Sequence, residues 1–363
     1  MMTTTKPQIE DPEIQILPTS DLMPSWFDSY IEKGMKIPHE TFQESWLLTL
    51  HDTKKSRAFW IKFSLLSSSN WFRRIADVSV WIFEKNENGE TTRSLLKQSY
   101  DISMFRPSLT DGSPGFSASN CTLTEQGTQG RVRSKGRSLR WNFVFSDLES
   151  SAFSHSYSGL SQMGIVKNQA RTSFDRLLSS GTLELDGVTS DWKNCTGTIL
   201  HQYGNRHSVS WTRVHCAGFR NAHGEPTDFS VHGVSARSLL FGLVKSPVSS
   251  SFAIRYGGEQ IVSHRLRDAF LPQTSQKLDQ WKFQVNKGPL SFRGEVTAQL
   301  KDFAGLTVED TDGTFLYCAD AGLADLTIHV YRKGSLENSF VATNGCTFEV
   351  VSREKSQYIN YQS

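Results

Sequence analysis

Leu290 to Lys301 alternates without a break. Leu290, Phe292, Gly294, Val296, Ala298 and Leu300 share one parity, and Ser291, Arg293, Glu295, Thr297, Gln299 and Lys301 share the other. Side chains on a strand point to opposite faces in turn, so this run predicts a strand with one dry and one wet face. The same period of two recurs along the chain. Phe59, Ile61, Phe63 and Leu65 alternate with Trp60, Lys62 and Ser64, and Val78, Val80 and Ile82 follow. Leu139, Trp141, Phe143 and Phe145 share a face, as do Ala324, Leu326, Ile328 and Val330, and then Cys346, Phe348 and Val350. Turn signals separate these runs: His51 to Lys54, Asn86 to Gly89, Asp186-Gly187, Gly257-Gly258 and Asp310 to Gly313. Asp-Gly and Gly-Gly supply the positive φ that a tight hairpin turn needs. Many short strands with almost no helix predict an all-β sandwich or barrel. The earliest strands, Phe42 to Leu50 and Arg57 to Leu66, carry large apolar groups on both faces, which suits strands covered on both sides.

Composition agrees. Nine Trp and twenty-three Phe accompany abundant Ser, Thr and Gly, while runs of strong helix formers are scarce. A formal charge of +2 over 363 residues implies neither a nucleic acid nor an acidic partner. The basic run Arg131, Arg133, Lys135, Arg137 and Arg140 has no base-stacking or phosphate-loop module beside it and reads as a solvated strand edge. Five scattered cysteines, without a C-x-x-C pair, imply free thiols in a reducing, cytoplasmic setting. The polar N-terminus has no secretory core, and no stretch approaches the roughly 18 apolar residues of a membrane span.

The length fits two successive antiparallel barrels. Residues 1–40 read as an extension with a short helix between Asp21 and Gly34. Residues 41–225 form the first barrel, 226–353 the second, and 354–363 a polar tail. The boundary is placed in Arg220 to Gly233, where the apolar pattern lapses and Gly, Pro and Asp gather. Arg106 to about Gly136, rich in Gly, Ser and Thr, reads as a ragged hairpin or a loop long enough to act as a lid. Ser154 to Gly164, with His155 and Tyr157, fits no element clearly.

The chemistry gathers between Gly181 and Phe219. Val209, Trp211, Arg213, His215, Ala217 and Phe219 share one parity, so an indole, a guanidinium and an imidazole lie on one strand face. A plain core rarely holds such a set, because a buried charge needs a partner. The face is either a pocket wall or a surface on which Trp211 covers a sheet edge. Five of the ten histidines fall between His201 and His232. His207 and His215, on one strand, would lie roughly 26 Å apart at about 3.3 Å per residue. With no H-E-x-x-H motif or Cys pair, no metal site is expected. G-x-S-x-G, Walker and G-x-G-x-x-G motifs are also missing.

Several stretches resemble the hydroxyneurosporene synthase-like family, also called the AttH-type lipocalin-related family. Tocopherol cyclase and certain lipocalin-like cyclases are its more distant associates. FQESWLLTL followed by FWIKFSLL is similar to the family's opening strands, which carry E-x-W. GTLELDG and then His201-Gln202-Tyr203-Gly204 are similar to its G-x-L-x-x-D-G and H-x-W-G signatures. Trp211 stands where the family has a Trp on the next strand, and DTDGTFLYCADAGLADLTIHVYR is similar to a late-strand block. Tyr203 replaces the signature Trp, and Gln202 stands where an acid is frequent. The resemblance implies two lipocalin-like (calycin-type) barrels and an apolar cavity for isoprenoid-like or polyketide-like molecules. It implies cofactor-independent hydration, cyclisation or isomerisation, or, in the alternative, a carrier without activity. For such chemistry His201, His215 and Tyr203 are the catalytic candidates, and Trp211, Arg213 and Trp192 the substrate-binding ones. An imidazole in an apolar wall favours its neutral form, which suits a hydrogen-bond donor or a base, and a neighbouring acid such as Asp186 or Asp191 would reverse that and restore an acid role.

Overall fold

The computed structural model describes residues 41–69, 74–110, 113–154, 168–240, 244–263 and 273–362. The short helix expected between Asp21 and Gly34, and His155 and Tyr157, lie outside them. The described chain is all-β, with two single 3-10 turns, at Ile102–Met104 and Leu300–Asp302. None of its helices is long and apolar enough to cross a membrane.

The first sheet contains β1 (Phe42–Asp52), β2 (Arg57–Ser67), β3 (Arg74–Lys85), β4 (Thr91–Asp101), β5 (Phe105–Thr110), β6 (Ser113–Ala118), β7 (Cys121–Thr124), β8 (Gly127–Ser134), β9 (Arg137–Ser154), β10 (Asn168–Leu185) and β11 (Val188–Gly204). Its order is β4-β3-β2-β1-β11-β10-β9-β8-β7-β6-β5, antiparallel throughout. The sheet curls until β4 meets β8, where the Arg133 N–H donates to Gln98 Oε1 at 2.8 Å.

The second sheet begins with β12 (Ser210–Cys216) and β13 (Ser230–Arg237). A separate small hairpin, β14 (Leu239–Leu240) and β15 (Val244–Lys245), interrupts it. It continues through β16 (Ser249–Tyr256), β17 (Glu259–Ser263), β18 (Gln273–Gln276), β19 (Gln280–Lys287), β20 (Leu290–Thr297), β21 (Ala304–Glu309), β22 (Phe315–Arg332), β23 (Ser335–Ser352) and β24 (Tyr361–Gln362). The main path is β17-β16-β13-β12-β23-β22-β20-β19-β18. Lys287 Nζ of β19 reaches the Val262 carbonyl of β17 at 3.2 Å, so this sheet also curls upon itself. The expected architecture of two consecutive antiparallel barrels is the one the chain forms.

Local sequence explains the turns. Asp186 and Gly187 both have positive φ, at 51° and 87°, as do Gly257 and Gly258 at 61° and 79°. The alternating run from Leu290 stays in strand only to Thr297, and Leu300 to Asp302 turn into a 3-10 coil.

Two expectations are corrected. The chain leaves the first sheet at Gly204 and enters the second at Ser210, so it crosses at residues 205–209 and not within Arg220 to Gly233. The Gly/Pro-rich stretch is a loop between β12 and β13 of one sheet, tied back by Arg220 to Val341. The true crossing is short and pinned. The His207 N–H donates to Asp310 Oδ1 at 3.2 Å, Thr311 Oγ1 donates to the Asn205 carbonyl, and Arg206 pairs with Asp312. The second concerns Arg106 to Gly136, where the hairpin alternative holds and the lid does not: its described residues are the paired strands β5 to β8 of the barrel wall. Phe116, Leu123 and Val132 from this stretch are buried in the first core. Its glycines permit close approach: a Cβ on Gly130 would stand 2.6 Å from the Trp141 ring.

Three cores result. Trp46, Phe59, Phe63, Phe116, Trp141 and Trp192 anchor the first interior. Phe252, Trp281, Phe292, Leu326 and Phe348 anchor the second. The third is the seam between the barrels, where Leu47, Trp60, Trp81 and Phe83 from the outer wall of the first meet Trp211, Leu306, Cys318 and Val351 from the second. This seam is why β1 to β3 are apolar on both faces.

Candidate functional site

On β1 the even positions face the first interior, as Trp46, Leu48 and Leu50 do. On β11 the odd positions from Cys195 onward do so, as Cys195 and Ile199 do. The two strands are neighbours, with Trp46 opposite His201 and Glu44 opposite Tyr203. That register brings an acid, an imidazole and two aromatic rings to one patch of the interior.

His201 Nε2 lies 2.7 Å from Glu44 Oε1, and both side chains are buried. The imidazole is stacked between two rings. Trp46 is parallel to it within 2°, with centroids 5.0 Å apart, and Tyr203 lies 4.9 Å away at 26°. Phe105 and Phe116 continue the aromatic surface at 5.5 and 4.4 Å from Trp46. Burial holds the Glu44 carboxyl well above the usual carboxylate range. Its second oxygen, Oε2, is buried without a hydrogen-bond partner among the described residues. The pair can therefore hold a proton between Oε1 and Nε2, out of water and against ring faces that stabilise positive charge.

His201 and Tyr203 are thus brought together as expected, but the acid beside the histidine is Glu44. Asp186 lies in an exposed turn, bound to Arg137 at 2.8 Å, and the Asp191 carbonyl receives Arg57. Glu44 is 157 residues from His201 in sequence, and only the β1–β11 pairing joins them. The E-x-W of the first strand was its one sequence signal.

Trp192 belongs to the same interior but is nine residues from His201 along β11, roughly 30 Å at about 3.3 Å per residue. It is packed with Phe59 and Phe143, donates from Nε1 to Ser190 at 3.1 Å, and is capped by the Arg57 guanidinium 4.1 Å from its ring. That makes it a core residue of the turn end.

Trp211, Arg213 and His215 face away from the second interior, which takes Val214 and Cys216 from the same strand. They look into the seam. Trp211 Nε1 donates to Glu349 Oε1 at 2.6 Å, and Arg213 pairs with Glu349 Oε2. His215 meets His232 edge to face at 5.4 Å. Asp320, close by, is held well above the carboxylate range by burial and by the charge of Glu349. The wall of the first barrel separates this set from His201, so the six candidate residues do not converge on one cavity. The buried charge on the β12 face finds its partner in Glu349 of β23, an arrangement of the seam. No group of three or more His, Cys, Asp or Glu side chains among the described residues could hold a metal ion.

No family model and no curated protein sequence matches the chain. The solved structures similar to it include two of related length. One is a Nitrosomonas europaea protein provisionally assigned as AttH, with 11% identity and a TM-score of 0.46, covering 88% of this chain and 94% of that one. The other is kievitone hydratase from Nectria haematococca, with 12% identity and a TM-score of 0.47, covering 85% and 88%. At identities and superpositions of this level, neither likeness assigns a reaction to this chain.

Proposed function

We propose that the first barrel binds a lipophilic, unsaturated small molecule and that Glu44 and His201 exchange a proton with it. The observation that carries this reading is the 2.7 Å Glu44–His201 contact, buried between the rings of Trp46 and Tyr203. A proton passed from the pair to an alkene carbon leaves a carbocation on the neighbouring carbon. The ring faces stabilise that charge. Attack by water, closure by a second double bond, or loss of a different proton then gives hydration, cyclisation or isomerisation. In each case one proton returns to the pair, so no cofactor is consumed. A positioned acid of this kind contributes about 10²- to 10⁴-fold.

The test starts with organic extraction and native mass spectrometry of the purified protein, to find a co-purified apolar molecule. That molecule, incubated with protein in D₂O, should gain carbon-bound deuterium. Glu44→Gln and His201→Ala should lose at least about 100-fold of the exchange rate while still binding. Undiminished exchange in both variants would remove the pair from the reaction, and no exchange with the wild-type protein would leave the barrel a carrier.

A further inference from the structure

The seam between the barrels holds a second feature, set against the outer face of the first wall and bordered by Glu44. It is a cleft of about 300 Å³, at the small end of ligand-sized pockets. Its floor is the outer face of β1 to β4. Ser45, Ser64, Asp77 and Ser99 are cross-strand partners in one row, and Leu47, Lys62, Ser79 and Lys97 form the next. Its roof comes from the second barrel, through Leu306, Val308 and Phe315. One side is therefore hydroxylated and charged, and the other apolar.

Two polar groups in the floor are left over. Asp77 is 8% exposed and pairs through Oδ2 with Lys97 at 3.0 Å, yet its Oδ1 is buried without a hydrogen-bond donor among the described residues. Lys62 lines the same cleft, and among the described residues no carboxylate lies within ion-pairing distance of it. Asp77 is taken by Lys97, and Glu349 by Arg213. His207 adds no charge at neutral pH, since burial lowers it to about 4. Lys62 and Asp77 are diagonal neighbours on β2 and β3, roughly 7–8 Å apart at the backbone. Asp320 feels the charge of Lys62, and Glu44 and Glu309 also line the cleft, but none of the three is ion-paired to it. A buried acceptor without a donor is costly, and one ligand can satisfy Asp77 Oδ1 while pairing with Lys62.

We propose that this cleft binds a small amphipathic hydroxy acid, its carboxylate against Lys62, its hydroxyl donating to Asp77 Oδ1, and its apolar body under Leu306, Val308 and Phe315. Glu44 borders the cleft, but the proposal uses only Lys62, Asp77 and the apolar roof and does not rest on the function proposed for the Glu44–His201 pair.

The probes are 3-hydroxybenzoate, its methyl ester and benzoate, measured by titration calorimetry against the whole protein. The acid should bind saturably at one site, with the ester at least tenfold weaker because it cannot pair with Lys62. Benzoate should be weaker than 3-hydroxybenzoate through loss of the Asp77 contact. Lys62→Met should abolish the preference for acid over ester, while Lys62→Arg should keep it and show that the fold tolerates change there. Asp77→Asn should narrow the gap between 3-hydroxybenzoate and benzoate. Equal binding of acid and ester, an acid preference that survives Lys62→Met, or no saturable binding by any of the three overturns the proposal. Deuterium exchange by the wild-type protein reads the other site, so the two readings fail separately.

Discussion

β11 and β12 are consecutive in the chain and similar in content, yet they use their faces in opposite ways. β11 turns His201 and Tyr203 into the first barrel, against Trp46 and Glu44. β12 turns Trp211, Arg213 and His215 out of the second barrel and into the seam, and sends Val214 and Cys216 inward. An aromatic residue beside an imidazole thus belongs to the proposed proton-exchange site in one strand and to a structural contact in the other. The difference is set by what lies opposite. Glu44 keeps an unsatisfied oxygen and a raised pKa, whereas Glu349 is engaged through both oxygens by Trp211 and Arg213.

The sharpest way to break this comparison is to remove one partner of the seam pair. Arg213→Met should destabilise the protein by about 3–5 kcal/mol, because it leaves Glu349 buried without its cation. Arg213→Met with Glu349→Leu should recover much of that, since a buried ion pair can be replaced by apolar groups at small cost. Urea unfolding of both variants reads the effect. A single variant as stable as the double would mean the pair is not buried in solution.

Acid should loosen the seam before it loosens the cores. Burial lowers both His51 and His207 to about 4, and His51 Nε2 contacts the Gly322 carbonyl across the seam at 2.9 Å. The folded state disfavours protonation of these rings, so the unfolded chain binds more protons between about pH 6.5 and 4. Their stabilising share is complete above about pH 6.5 and is lost as pH falls towards 4. The loss is up to about 3 kcal/mol for each ring, from roughly 1.4 kcal/mol per pKa unit. His51→Asn should flatten the slope of melting temperature against pH over that window. An unchanged slope would place the acid sensitivity elsewhere.

A smaller effect separates tight packing at the seam from backbone strain at an open turn. A Cβ on Gly322 would stand 2.2 Å from the Phe83 ring, so Gly322→Ala should cost about 1–3 kcal/mol. Gly187, at φ 87° with open space around it, should cost only about 1 kcal/mol on the same change. Parallel denaturation curves that reverse this order would show that the barrels pack less closely than described.

The last expectation is no effect at all. All five cysteines are free and buried, so thiol counting under denaturing, non-reducing conditions should find five with or without prior reduction. A count of three or one would reveal a bridge and would falsify the free-thiol reading.

The sequence by itself determined what depends on neighbours along the chain. Period-two runs specify strands because side-chain direction alternates with each residue. Asp186-Gly187 and Gly257-Gly258 specify hairpins because only such residues accept positive φ cheaply. Parity also showed that Trp211, Arg213 and His215 share a face. What parity cannot say is which side of a wall a face looks towards, because a strand covered on both sides has two dry faces. Only the tertiary structure decided that, by packing one barrel against the other along Leu47, Trp60, Trp81 and Trp211. It also decided which acid meets His201. Glu44 and His201 belong to strands at opposite ends of the first barrel's sequence, and they meet because closing the sheet hydrogen-bonds β1 to β11. The crossing at residues 205–209 was hidden for the same reason. It is held by the distant Asp310 turn, with no Gly/Pro run of its own, so composition carried no mark of it.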